Sequence, residues 1–328
     1  MDAHFEAVVN AIADGRVIPF LGAGANLCGR ANGVAWNRGQ QEHLPSGKEL
    51  IEHLITRFSY PTSEAKDLAR VTQYVDTIQG QAPLFQELHE LFDRPYPPTE
   101  LHRLFAELPQ LLRAKNCPRT SDPFHQRLLV VSTNYDDLME RAFDQAGEKY
   151  HVLTYMTELV DRAESGMFLH AAPDRQEAAL INTERNQLTP LDNDQYPVII
   201  KIHGAVDRVS LDQTNSPFPY QDSFVITEDH YIDYLSLKDV LTMLPITIRT
   251  QLIKSNYLFL GYSLRDWNLR AILRRIWREQ GRMTYRSWAI LLDATDFERR
   301  YWISNRVEIH EVNLSEYTRE LGRRLRAL

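Results

Sequence analysis

Apolar residues recur along this chain in two alternating patterns, and the alternation sets the architecture. Residues 4–14 carry Phe5, Val8, Val9 and Ile12 at helical spacing and predict a helix with one apolar face. The chain then enters Val17-Ile18-Pro19-Phe20-Leu21, a short continuous apolar run of the kind a buried strand needs, and stops on Gly22-Ala23-Gly24. This order of apolar strand and polar turn returns three times. Leu128 to Ser132 leads into Thr133-Asn134-Tyr135-Asp136 and a helix through Phe143, Val198 to Ile202 leads into His203-Gly204, and Tyr257 to Leu260 leads into Gly261-Tyr262-Ser263-Leu264. Two further strands are expected near 288–292 and 307–312, alternating with helices near 296–304 and 315–327. Continuous apolar strands that alternate with helices predict an α/β fold: a doubly wound, mostly parallel, Rossmann-like sheet covered on both faces.

From Ser46 to about Arg113 the periodicity is helical throughout. Ser46 and Glu49 stand at capping-box spacing, and Pro83, Pro95, Pro97 and Pro98 punctuate the later helices. The expected organisation is therefore a Rossmann-like domain over 1–45 and 114–328, interrupted by an all-helical insertion over 46–113. Residues 171–196 and 207–222 are rich in polar residues, prolines and turn formers and are expected to be surface loops.

Composition narrows the function classes. At 328 residues the chain can bury a sizeable core, and no run approaches the roughly 18 apolar residues of a membrane span. Its first residues are amphipathic and acidic where a signal peptide is basic and then apolar, so export is not expected and a cytoplasmic location is. Cys28 and Cys117 are the only two cysteines, which excludes a four-cysteine zinc site. A net charge of −7 gives no general attraction to nucleic acid. Basic runs at 270–278 and 319–328 recur at helical spacing and are expected on solvated or partner-facing helix surfaces.

In a doubly wound sheet ligands bind outside the carboxyl ends of the strands, and each polar motif falls there. Gly22-Ala23-Gly24 lets backbone N–H groups approach a pyrophosphate, although a GxG after a strand also serves as a plain tight turn. The acid expected some 20 residues downstream in a dinucleotide fingerprint has no clear counterpart, since Glu42 follows no strand. Asn134 and Asp136 bring an amide and a carboxylate to one strand end, where either could instead cap the next helix. His203 can act as a general base or as a hydrogen-bonded structural residue. Gly261, Tyr262 and Ser263 can meet ribose or phosphate, or form a turn before a helix capped by Asp266.

Taken in order, GAGAN, STNYD, KIHG and FLGYSL resemble the sirtuin signatures, and the chain resembles the bacterial SIR2-like domain family of defence systems over roughly residues 17–270. FVITEDHYIDYL (224–235) and FLGYSLRDWNLR (259–270) are further family-like stretches. The resemblance implies that Gly22, Ala23 and Gly24 hold the pyrophosphate of NAD, with Gly261, Tyr262 and Ser263 on the adenosine side. Asn26 replaces the serine usual after the glycines, and it joins Thr133 among the implied NAD-binding positions. Asn134 and His203 are implied to flank the nicotinamide ribose, and Asp136 is similar to the acid that orders that pocket. The usual proline–aspartate–phenylalanine–arginine segment is missing, as is the zinc module of deacylase sirtuins.

The implied activity is NAD glycohydrolysis, with NAD as substrate and no zinc. Asn134 would orient a water or ribose hydroxyl and His203 would take up a proton. An NAD- or ADP-ribose-sensing module without catalysis, and an ADP-ribosyltransferase or deacylase, share the glycine loops and are the alternatives. Resemblance to defence-type domains further implies a gated activity in anti-phage abortive infection. With no evident sensor domain here, gating is expected from homo-oligomerisation and a separate partner, such as a HerA-like ATPase or an Argonaute-type protein.

Overall fold

The computed structural model describes residues 1–31, 33–61, 63–157, 167–173, 178–181, 191, 194–207, 222–236, 240–262, 267–281 and 285–328. Helix α1 (Asp2–Ala13) buries Phe5, Val8, Val9 and Ile12, the face its periodicity predicts, and delivers the chain to β1 (Val17–Leu21), which is buried along its whole length. Four helices follow before the next strand: α2 (Gly47–Phe58), α3 (Leu68–Gln79), α4 (Gln81–Phe92) and α5 (Glu100–Ala114). The predicted capping box opens α2, for Glu49 donates its N–H to Ser46 Oγ (3.3 Å) and its carboxylate accepts the Ser46 N–H (2.8 Å).

After β2 (Leu129–Ser132) come α6 (Leu138–Ala146), β3 (His151–Met156), β4 (Met167–Ala171), β5 (Ala178–Leu180) and β6 (Val198–Lys201). A two-residue ribbon, β7 (Gly204–Ala205) with β8 (Ser223–Phe224), precedes α7 (Glu228–Ser236) and α8 (Ile246–Ile253). The chain closes with β9 (Asn256–Leu260), α9 (Trp267–Gln280), β10 (Ser287–Leu291), α10 (Asp296–Ser304), β11 (Val307–Glu311) and α11 (Leu314–Arg326).

Among the described residues the main sheet has nine strands in the order β11-β10-β9-β1-β2-β6-β3-β4-β5, parallel from β11 through β3 and antiparallel at β4 and β5. Strand residues alternate between two cores, as the two-residue period of a pleated sheet requires. Ile18, Phe20, Val131, Ile200 and Phe259 face Leu252, Leu273 and Trp302. Val17, Leu21, Val130, Ile199 and Leu258 face α1, α5, α6 and α11 through Phe5, Phe105, Phe143 and Leu321. A third core joins α2, α3 and α4 through Leu54, Val75, Leu88 and Phe92 and seats them on Tyr135 and Leu138 after β2 and on Phe224 and Ile226 beside β8, while α5 packs against the sheet. Pro19 lacks an N–H, and β1 registers with β2 only from Phe20 onward.

One expected loop is corrected. Residues 171–196 contain the end of β4 and all of β5, where Ala178 to Leu180 pair with Ala171 to Leu169. Three residues at a sheet edge have no periodicity to read; their pairing partner alone makes them a strand. Of 207–222, only Asp207 and Asp222 lie within the described residues.

Both basic runs lie on helices, α9 and α11, and are engaged in part within the chain. The Arg270 guanidinium sits 4.8 Å from the Tyr301 ring centroid, and Arg323 and Arg324 pair with Glu320.

Candidate active site

Because β9, β1, β2 and β6 are consecutive in the sheet, their carboxyl ends bring all four motifs to one edge, where the strand order reverses around β1. The glycines explain how closely the turns meet. Gly24 donates its N–H to the Gly261 carbonyl (2.7 Å), and Gly22 donates to Leu260 (3.1 Å). Gly261 has φ +67°, and a Cβ there would stand 2.0 Å from the Ala25 nitrogen; one on Gly24 would stand 2.7 Å from the Gly261 oxygen. Glycine at 24 and 261 is therefore required by two backbones crossing, before any ligand is considered.

Beside this crossing lies a chain of side-chain hydrogen bonds whose polarity is fixed at both ends. Asn26 donates Nδ2–H to Asp136 Oδ2 (2.6 Å), and Asn134 donates Nδ2–H to Asn26 Oδ1 (3.3 Å) and to the Gly22 carbonyl (3.2 Å). A carboxylate and a backbone carbonyl only accept, so both amides can point only one way. None of these bonds uses Asn134 Oδ1, and Asn134 lines the cleft described below. The site thus presents an acceptor at Asn134. Asp136 is 3% exposed, and from one residue ahead of the α6 N-cap, Asp137, its Oδ1 accepts the N–H of Leu138, the first residue of the helix (3.0 Å). One carboxylate thus holds both the start of α6 and the Asn26 amide.

Under Asp136 lies a buried polar layer that the apolar reading of β6 overlooked. Lys201, 1% exposed, donates its Nζ to the Asp136 carbonyl oxygen and lies 3.5 Å from the Glu140 carboxylate on α6. His102 of α5 completes the layer. Burial pushes its imidazole down to about 4, against the favourable charge of Asp136, so it is neutral at pH 7. Thr99, at the start of α5, donates its hydroxyl to the Ala25 carbonyl (3.2 Å) and meets His102 Nδ1 at 2.8 Å. Two signals for this layer were present in the sequence: a lysine inside an apolar strand, and a histidine three residues after a helix-capping threonine.

His203 is 3% exposed, and its ring meets the edges of Tyr231 and Tyr234, each at 5.7 Å between centroids. Gly204, at φ +80°, permits the turn that follows; a Cβ there would lie 2.0 Å from the Ser223 oxygen. Val225 ties the histidine to the β2 motif. It donates its N–H to the His203 carbonyl (2.9 Å) and accepts the Tyr135 hydroxyl (2.8 Å).

A cleft of about 870 Å3 opens over these groups, lined by Ala23, Gly24, Asn26, Thr133, Asn134, Asp136, His203, Gly261 and Tyr262. The expected site residues therefore converge, apart from Gly22, which lies one residue behind the lining, and Ser263, which falls outside the described residues. Tyr231 joins the lining unforeseen. Arg30, held by Glu49 through two bonds of 2.8 and 2.5 Å, anchors the loop that walls one side. The Arg30 guanidinium holds the Glu49 carboxyl far below the usual carboxylate range. A separate cavity of about 660 Å3 lies among Gly15, Arg113, His125 and Tyr196, and none of the motif residues lines it. Among the described residues, no group of three or more His, Cys, Asp or Glu side chains is arranged to hold a metal ion. No described helix is long and apolar enough to cross a membrane.

Comparison with known proteins gives this edge a context. Two curated relatives, both named NAD(+) hydrolase ThsA, are each 25% identical to the chain. The one from Acinetobacter baumannii (strain 532279) aligns over 256 residues, 77% of this chain and 38% of its own length. The one from Enterococcus faecium aligns over 280 residues, 84% of this chain and 43% of its own. The chain thus spans less than half the length of these relatives. The family model described as the SIR2-like domain matches residues 128–310, more than half of the chain. That match contains the turns after β2, β6 and β9, and the backbone crossing at Gly24 and Gly261 joins the turn after β1 to them. The chain is a member of the SIR2-like domain family.

Proposed function

We propose that this protein cleaves NAD at the bond between nicotinamide and ribose, releasing nicotinamide and ADP-ribose. The observation that carries the reading is the convergence of Asn134, His203 and the two glycine turns on one cleft, whose volume falls within the roughly 300–1,000 Å3 usual for small-molecule sites. The names of the relatives support it.

In the proposed reaction the C1′–N bond breaks with its electron pair leaving on nicotinamide. Nicotinamide departs neutral, so no acid is required, and positive charge develops on the ribose. Asn134 Oδ1 accepts a hydrogen bond from a ribose hydroxyl or from the attacking water. His203 takes the proton of that water as it adds to C1′ from the opposite face. Ala23, Gly24, Asn26 and Thr133 line the pyrophosphate path, Gly22 supports the turn from behind, and Gly261, Tyr262 and Ser263 belong to the adenosine side. Asp136 acts by fixing Asn26 and, through it, Asn134. In this reading 1–45 and 114–328 form the catalytic domain and 46–113 the insertion, with α5 packed on the sheet.

An ungated NADase would empty a cell of its cofactor, so we extend the proposal to a cytoplasmic effector of anti-phage defence, held in check by homo-oligomerisation and a partner chain.

The test is incubation of the purified chain with NAD, following nicotinamide and ADP-ribose by chromatography. His203→Ala and Asn134→Ala are each expected to lower turnover by about 10² or more. A folded variant that keeps full turnover would remove that residue from the mechanism; NAD binding without cleavage by the wild-type chain would leave either a sensor or an enzyme waiting for its partner.

A further inference from the structure

We propose that Lys201 is a positioning residue that holds the Asn134 turn in register with His203. The inference rests on the NAD-cleaving reading of the site. Burying a lysine is costly unless its charge and its donors are matched, and an apolar residue would serve a sheet interior better. At the last position of β6, Lys201 registers with Ser132 of β2 and Thr154 of β3. Two residues earlier Ile199 packs on the α5 and α6 side, and the pleat directs Lys201 to the same side. There its amino group reaches the Asp136 carbonyl oxygen and the Glu140 carboxylate, with His102 as the other titratable neighbour.

These contacts join the two halves of the candidate catalytic pair. Asp136 is the residue whose carboxylate orients Asn26 and hence Asn134, while His203 follows Lys201 by two residues on the same strand end. One side chain thus clamps the β2 turn to the β6 end. Two other ties reach the turn at Tyr135 and leave the Asp136 backbone untouched: Val225 joins the His203 carbonyl to the Tyr135 hydroxyl, and Val206 donates its N–H to the Tyr135 carbonyl (2.9 Å). Without the lysine the Asp136 end of the turn, whose carboxylate orients Asn26, loses its anchor from below.

The experiment uses the full chain with Lys201→Met, read by NAD turnover and by hydrogen exchange of a peptide covering 133–143. The expected result is faster exchange at 133–138, unchanged exchange in β1 and β9, and kcat lowered roughly 10- to 100-fold with KM little changed. If the single variant fails to fold because Glu140 is left without its cation, Lys201→Met with Glu140→Gln removes both charges and carries the same measurements. Exchange at 133–138 equal to wild type overturns the proposal, as does faster exchange spread over the whole sheet or turnover that stays at the wild-type level. Absence of turnover in the wild-type chain would bear on the NAD-cleaving reading alone, leaving a sensor or an enzyme that awaits its partner, and local exchange would still decide whether Lys201 anchors the turn.

Discussion

Asp136→Asn is the substitution that most directly interrogates the candidate site, because the two side chains differ by one donor in place of one acceptor. In the native arrangement Asp136 accepts from Asn26 at 2.6 Å and from the Leu138 N–H at 3.0 Å. An amide at 136 can satisfy only one of these. If its oxygen keeps Leu138, its NH2 faces the NH2 of Asn26. Turning Asn26 moves the conflict to Asn134, and turning Asn134 sets its oxygen against the Gly22 carbonyl, which cannot turn. The misfit therefore cannot be relaxed by flips. Losing the charge-assisted bond costs roughly 1.5–3 kcal/mol, and losing a negative charge at the start of α6 about 0.3–1 kcal/mol, so a total of about 2–4 kcal/mol is expected. Urea unfolding followed by tryptophan fluorescence measures it, alongside NAD turnover. The double variant Asn26→Asp with Asp136→Asn restores a donor–acceptor match at each link and should recover at least half of the lost stability. A single variant within about 0.5 kcal/mol of wild type, or a double variant less stable than both singles, would refute the fixed polarity of the chain.

Two other outcomes follow from the geometry. Gly261→Ala should unfold or severely destabilise the chain, since the left-handed φ alone costs roughly 1–2 kcal/mol and the new Cβ meets the Ala25 nitrogen at 2.0 Å; a thermal midpoint within a degree or two of wild type would contradict the crossing. Acid should also weaken the fold through buried histidines. Burial holds His102 and His170 down to about 4 and His4 down to about 3, so below about 6.5 the unfolded chain binds more protons than the folded one. Their contribution is complete above that pH and is lost as pH falls toward 4, at roughly 1 kcal/mol per histidine per pH unit; a urea midpoint that stays constant between pH 7 and 5 would show that these groups do not titrate as described.

Much of this protein was legible in its sequence because the relevant forces are local. Continuous apolar runs such as Val17 to Leu21 and Tyr257 to Leu260, too short for helices and bounded by glycine turns, read as buried strands of a covered sheet, and Ser46 with Glu49 closes its capping box within one helical turn. The four polar turns were legible too, since a doubly wound sheet sends the end of every parallel strand to one edge. What only the tertiary structure decided is which of those ends are neighbours and what their residues touch. The order β9-β1-β2-β6 sets Gly24 against Gly261, and it brings Asn26 to Asp136 across 110 positions of chain. Lys201 passes without notice inside the apolar run Val198 to Ile202, yet its partners Asp136 and Glu140 come from the turn and helix after β2. Periodicity reports which face a residue occupies. The partner waiting there is set by packing between segments distant in sequence, and for buried polar groups that partner determines whether a residue is a cap, an anchor or a candidate catalyst.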